Sequence, residues 1–208
     1  MTATALALHG SQSLWLISRG SGLVLLVLFS TVMVLGIATR TGASARRWPR
    51  FAVAGLHRTL SLFAVALLAL HVVTAILDPY VSIGWLATVV PFASHYETLA
   101  LGFGGLAVDL IGAVLITSLL RHRLGLRTWR TVHWLGYLAW PVAFIHAITA
   151  ARYDLHIWWV VLAEWGSLAA VATALMVRQF HRGRPAPAAR PGPKPSRSDR
   201  AAQFTARH

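Results

Sequence analysis

The sequence predicts an all-α protein, a polytopic membrane bundle of five transmembrane helices. Three observations carry this. Hydrophobic residues make up 56% of the 208-residue chain and charged residues only 12%, about half the charge of a soluble domain. The apolar residues fall in blocks of the roughly 20 residues that a helix needs to cross a bilayer. The arginines collect in alternate connections between those blocks, the pattern that sets membrane orientation. The formal charge of +13 therefore describes loops facing one side of a membrane and gives no ground for a nucleic-acid partner. There is no cysteine, which excludes disulfides, thiolate metal sites, iron–sulfur clusters and covalently attached c-type haem.

Residues 1–13 form a short uncharged segment without the basic start of a signal peptide, and are expected to be disordered. The first helix is predicted from Leu14 to Ala38. A loop with Arg40, Arg46, Arg47 and Arg50 follows. The second helix spans Phe51 to Leu77 and stops at Asp78-Pro79, because the residue before proline is biased away from helix. Residues 80–98, with Trp85, Pro91 and Tyr96, read as an interfacial excursion holding one short helix. The third helix covers Leu99 to Leu120, followed by Arg121, Arg123, Arg127 and Arg130. The fourth runs from Thr131 to Ala150 around Pro141. The fifth runs from Ile157 to Val177 and opens on the interfacial anchors Trp158 and Trp159. Residues 14–178 are thus one membrane domain. Residues 179–208 form a basic, Arg- and Pro-rich tail without apolar period, expected to be disordered. The arginine-rich loops place the N-terminus outside and the C-terminus in the cytoplasm, and the expected location is the cell membrane.

Four histidines stand out inside this apolar chain. His57 and His71 lie on the second helix, 14 residues apart, and His133 and His146 lie on the fourth, 13 apart. The two helices run in the same direction, so His57 and His133 share the cytoplasmic level while His71 and His146 share the outer level. Fourteen residues rise roughly 21 Å and bring two side chains to within roughly 40° on one face. Thirteen residues leave a straight-helix pair roughly 140° apart, so the fourth helix is predicted to be distorted near Pro141. Ionisable side chains at membrane depth mark function. Two imidazoles facing each other at each of two levels suit the axial ligation of two haem irons, stacked so that an electron crosses the hydrocarbon core. The plainer alternative is a set of interhelical hydrogen bonds.

With these residues the chain resembles the ferric reductase-like transmembrane domain family, which includes ferric reductases, NADPH oxidases and the membrane subunit of the methionine sulfoxide reductase system. The resemblance covers residues 14–178. It rests on the 14- and 13-residue histidine spacings and on Ser18-Arg19-Gly20-Ser21-Gly22-Leu23, similar to the family's arginine-bearing entry helix. It implies two b-type haems, His57 with His133 at the inner level and His71 with His146 at the outer. It also implies that Arg19 binds an outer-haem propionate, against the alternative of snorkelling to the headgroups. The oxidases' further histidine, one turn beyond the outer ligand, is Ala75 here, which argues against superoxide production. The family's flavin and nicotinamide domain has no counterpart in the short tail, so a flavin, like a quinone, enters only as a partner's cofactor or a carrier.

Among other residues, Asp109 and Glu164 lie within predicted helices and are read as pairing with Arg19, relaying protons or meeting a quinone, or else as structural acids. Arg58, Arg127 and Arg130 are candidates for inner-haem propionates, or for topology alone. Phe63, Trp134, Trp140 and Phe144 are candidates to pack on porphyrin, or plain packing residues. His95 and His156 in outer segments read as solvated, with metal or substrate binding as the alternative. Gly102, Gly104, Gly105 and Gly112 are expected to allow close helix contact. The expected function is that of a membrane b-type cytochrome, the electron-transfer component of a transmembrane oxidoreductase. A separate flavoprotein reductase or quinol would donate, and an acceptor would lie on the outer side. A quinol-linked respiratory cytochrome b and a non-redox scaffold or transporter subunit are the alternatives.

Overall fold

A computed structural model of the chain describes residues 3–41, 49–79, 83–152, 154 and 156–182. Helices α1 (Ala3–Thr41), α2 (Arg50–Leu77), α3 (Leu86–Val89), α4 (Thr98–Leu119), α5 (Arg121–Leu124), α6 (Leu126–His133), α7 (Leu135–Ala150) and α8 (Trp158–Arg182) follow in order, with no strand among the described residues. The loop arginines Arg46 and Arg47, and the tail from residue 183 on, lie outside the described residues.

Prolines bracket α2. Pro49 is its N-cap, and Asp78, driven into extended geometry by Pro79, ends it. One sequence expectation is corrected. α1 begins at Ala3, so helical backbone reaches back through most of the segment expected to be disordered. Ala and Leu alternate there, and both are strong helix formers. Of the five expected crossings, the fold bears out four by length and composition. Among the described residues, four helices are long and apolar enough to span a membrane: Gln12–Thr39, Phe51–Leu77, Thr98–Leu119 and Trp158–Phe180. The predicted fourth span is instead two pieces, α6 and α7, and α7 has only 16 residues.

The break between them falls at Trp134, not at Pro141, which sits inside α7 without interrupting it. The backbone tightens at the break. Trp134 N–H donates to both Arg130 O and Thr131 O, and Tyr137 N–H donates to Trp134 O at 3.0 Å. Such i to i+3 turns wind about 20° further per residue than α-helix, in the sense that reduces the misalignment between positions 133 and 146. Gly136, with open space around it, makes this stretch a weak helix former.

Packing centres on α1. It contacts α2, α7 and α8, while α7 also packs along α4. Leu26, Trp140, Phe144 and Val171 form the buried core where α1, α7 and α8 meet. Trp140 stacks on Phe144 with centroids 5.4 Å apart, and its Nε1–H donates to Ser30 Oγ at 2.9 Å. A buried bond of this kind is worth about 1 kcal/mol. α2 is different: it packs on α1 and makes no comparable contact with α4, α7 or α8. Leu62, Phe63, Leu70 and Val73 along it are exposed. The short α3 folds against α4, where Phe92 at positive φ lays its ring over Gly102, and the Ala87 carbonyl approaches Gly105.

Candidate functional site

The slot between α2 and the α6–α7 segment is where the histidine rings meet. His57 faces His133 with ring centroids 6.5 Å apart, and His71 faces His146 with centroids 6.2 Å apart. Both pairs meet at steep interplanar angles, 75° and 70°. Depth matching in the sequence thus pairs the same residues that the fold brings together.

Three of the four rings sit in the same kind of socket. His71 Nδ1–H donates to Ser18 O at 2.9 Å, and a side chain at Gly22 would strike its ring, with a Cβ only 2.9 Å from Cε1. His57 Nδ1–H donates to Val32 O at 3.0 Å, and its Cε1 lies 3.2 Å from where a Cβ of Gly36 would be. His146 Nδ1–H donates to Ala100 O at 2.7 Å, and a Cβ on Gly104 would lie 2.9 Å from its ring. In each case the accepting carbonyl precedes the glycine by four residues. The missing Cβ clears the approach to the carbonyl one turn earlier, because side chains on a helix lean back over the preceding turn. The helix thereby offers a second acceptor site on a carbonyl already bonded within the helix. Because α1 and α2 are antiparallel, Gly22 and Gly36 stand 14 apart, like the histidines that they seat.

The socket fixes chemistry as well as position. A carbonyl only accepts, so Nδ1 carries the proton and Nε2 keeps its lone pair. Such a bond orients the ring and raises its basicity as a ligand. His133 is seated differently, with its ring 5.1 Å from that of Trp129, whose Nε1–H donates to Ser118 Oγ at 3.3 Å.

The spacing of each pair suits one metal ion between the rings. Two metal–nitrogen bonds of about 2.0 Å plus two imidazole radii of about 1.1 Å place the centroids about 6 Å apart. Among the described residues no cluster of three or more metal-ligating side chains occurs. An ion held by one pair therefore needs its remaining ligands from elsewhere, as the four pyrrole nitrogens of haem provide. The stand-off of α2 from α7 leaves room for a planar group across each pair. The residues fit haem.

The remaining candidates divide. Arg19 bonds Asp154 through Nε at 2.9 Å and through Nη2, also reaches Ala150 O at 3.3 Å, and lies over the Trp15 ring. Its carboxylate partner is thus neither Asp109, which is exposed on α4, nor Glu164. Glu164 is 1% exposed, and among the described residues neither carboxylate oxygen has a hydrogen-bond partner. It borders a cavity of about 570 Å³ shared with Ala100, Thr149 and Trp165, alongside the ion pair of Arg152 and Glu97. Trp140 and Phe144 belong to the core with Leu26 and Val171. Phe63 and Trp134 are exposed, as are His95, His156, Arg58, Arg127 and Arg130. Gly104 seats His146, Gly102 and Gly105 receive Phe92 and the α3 segment, and Gly112 faces open space. Gly36, whose missing Cβ makes room for the His57 ring, is a feature of the site that sequence reasoning passed over.

A family model described as ferric reductase like transmembrane component matches residues 21–144, more than half of the chain. No curated protein and no solved structure matches. The matched stretch takes in His57, His71 and His133 and ends two residues before His146. Together with the four apolar helices, it makes the chain a multi-pass membrane protein.

Proposed function

Because the chain belongs to the ferric reductase like transmembrane component family, we propose that it is a membrane b-type cytochrome. It carries electrons through two stacked haems, from a cytoplasmic flavoprotein or quinol to an acceptor on the outer side. The observation that supports this most directly is the meeting of two histidine pairs at 6.5 and 6.2 Å. Haem b supplies one-electron chemistry at each level. His57 and His133 bind at the inner level, His71 and His146 at the outer. The sockets at Val32/Gly36, Ser18/Gly22 and Ala100/Gly104 hold Nε2 of three ligands toward the slot. Arg19, anchored by Asp154, places positive charge at the outer level for a propionate. Five crossings, with α6 and α7 together completing one, put the N-terminus outside and the C-terminus in the cytoplasm of the cell membrane. The exposed Arg58, Arg127 and Arg130 then lie on the side where an acidic flavoprotein would dock.

Purified protein should give a reduced-minus-oxidised spectrum of haem b and a pyridine haemochrome value of two haems per chain. Absence of haem b would remove the reading, and one haem per chain would remove the stacked arrangement.

A further inference from the structure

Arg178, near the His133 end of α8, is 7% exposed. Its guanidinium lies 4.9 Å from the ring centroid of Trp134 and 4.9 Å from that of Tyr137. These two rings lie side by side, 5.1 Å apart, and Trp134 is the residue after His133. Cation–π contact with two aromatic faces stabilises a guanidinium but supplies no counter-charge. A cation enclosed at this depth calls for an anion, since a buried charge without one is costly.

The chain has few acids to offer. It has six: Asp78, Glu97, Asp109, Asp154, Glu164 and Asp199. Glu97 and Asp154 are paired with Arg152 and Arg19. Glu164 lies 14 residues from Arg178 on the same helix, roughly 21 Å away. Asp78 lies at the opposite end of the bundle, Asp109 is exposed on α4, which makes no substantial contact with α8, and Asp199 lies outside the described residues. Among the described residues no carboxylate forms an ion pair with Arg178. A guanidinium presents a fork of N–H donors matched to a carboxylate.

We infer that Arg178 is an anion-binding residue of the inner level, and that its anion is a propionate carboxylate of the group held between His57 and His133. This rests on the haem reading above. Its placement against Trp134, the residue after His133, and its burial favour the cofactor's carboxylate over the phosphate of an anionic lipid. Arg58, Arg127 and Arg130, the arginines that sequence position favours for this role, are exposed, where pairing is worth little.

The test uses full-length protein in nanodiscs of phosphatidylcholine alone, with redox titration and resonance Raman of the propionate-bending band. Arg178→Gln should keep two haems and shift the inner reduction equilibrium about tenfold toward the oxidised form, 59 mV for a one-electron couple. The outer potential should not move. Arg178→Lys keeps the charge and loses the planar fork, so its inner potential should move less, while the propionate band still shifts. The lysine variant keeps the test decisive if the glutamine variant does not fold. Full haem content with an unchanged inner potential and an unchanged propionate band overturns the inference. So does a wild-type inner potential that follows added phosphatidylglycerol only when Arg178 is present, because the anion is then a lipid phosphate. Loss of all haem b from wild-type protein would instead strike the parent reading.

Discussion

His71→Ala is expected to reduce haem b from two groups per chain to one. Pyridine haemochrome quantification gives the count, and a redox titration shows which component is gone. In the proposed arrangement His71 supplies one of two axial nitrogens at the outer level, and no other described histidine lies within the His71–His146 pair. Alanine cannot replace the bond, and it also vacates the Ser18 carbonyl. The inner pair lies roughly 21 Å away along α2, far enough for effects to remain separate. The inner component should therefore keep its spectrum and its potential. His57→Ala should show the converse. A variant without His71 that still holds two haems would reject the axial assignment.

The second large effect is expected from a residue with no functional group. Gly22→Val should empty the outer level while leaving the inner one loaded. A Cβ at position 22 would stand 2.9 Å from His71 Cε1, closer than carbon atoms approach, and the valine methyls extend further into the ring. His71 must then turn away from Ser18 O. That costs about 1 kcal/mol for the hydrogen bond and roughly 1–3 kcal/mol for overpacking. The sum exceeds the 1.4 kcal/mol that corresponds to a tenfold weaker equilibrium, before the lost ligand orientation is counted. Gly104→Val should act at the same level from the other side, through His146. Gly20→Val is the control: it lies on the same helix with nothing within 4 Å, and should retain both haems. Equal haem loss in the variants at positions 20 and 22 would mean that valine weakens α1 in general and that the socket has no separate role.

The histidine pairing was readable in the sequence because imidazoles at membrane depth are rare, and because their spacing sets depth whatever the tertiary arrangement. The four spans were readable for the same reason: hydropathy is local. The sockets were not read. Glycine is common in membrane helices, and Gly22 and Gly36 look like ordinary packing residues. Their 14-residue separation, equal to that of His57 and His71, was the available signal. The distortion of the fourth segment was foreseen from the spacing but placed at the proline. Pro141 removes a single backbone bond and α7 absorbs it, whereas the tight turn at Trp134 changes the winding next to His133 itself. Partners of the charged residues were beyond sequence reasoning, because Asp154 reaches Arg19 only when the connection after α7 folds back along α1. Arg178 stands one residue past the apolar run, where it reads as an orientation signal, and only packing shows it enclosed.

The isolation of α2 bears on how the protein would acquire the proposed haems. α1 seats both histidines of α2, and α4 seats His146 of α7, so each hairpin orients its ligands before the hairpins meet. On the proposed reading, loading would amount to closing two prepared halves on a flat molecule, with little rotational freedom left to lose. The halves are not equally prepared. The outer level has both ligands in sockets, whereas at the inner level His133 rests against Trp129 beside a broken helix. Biogenesis should reflect that difference, with the outer level filled first and held longest, and the inner level completed only as α6, α7 and α8 settle around it.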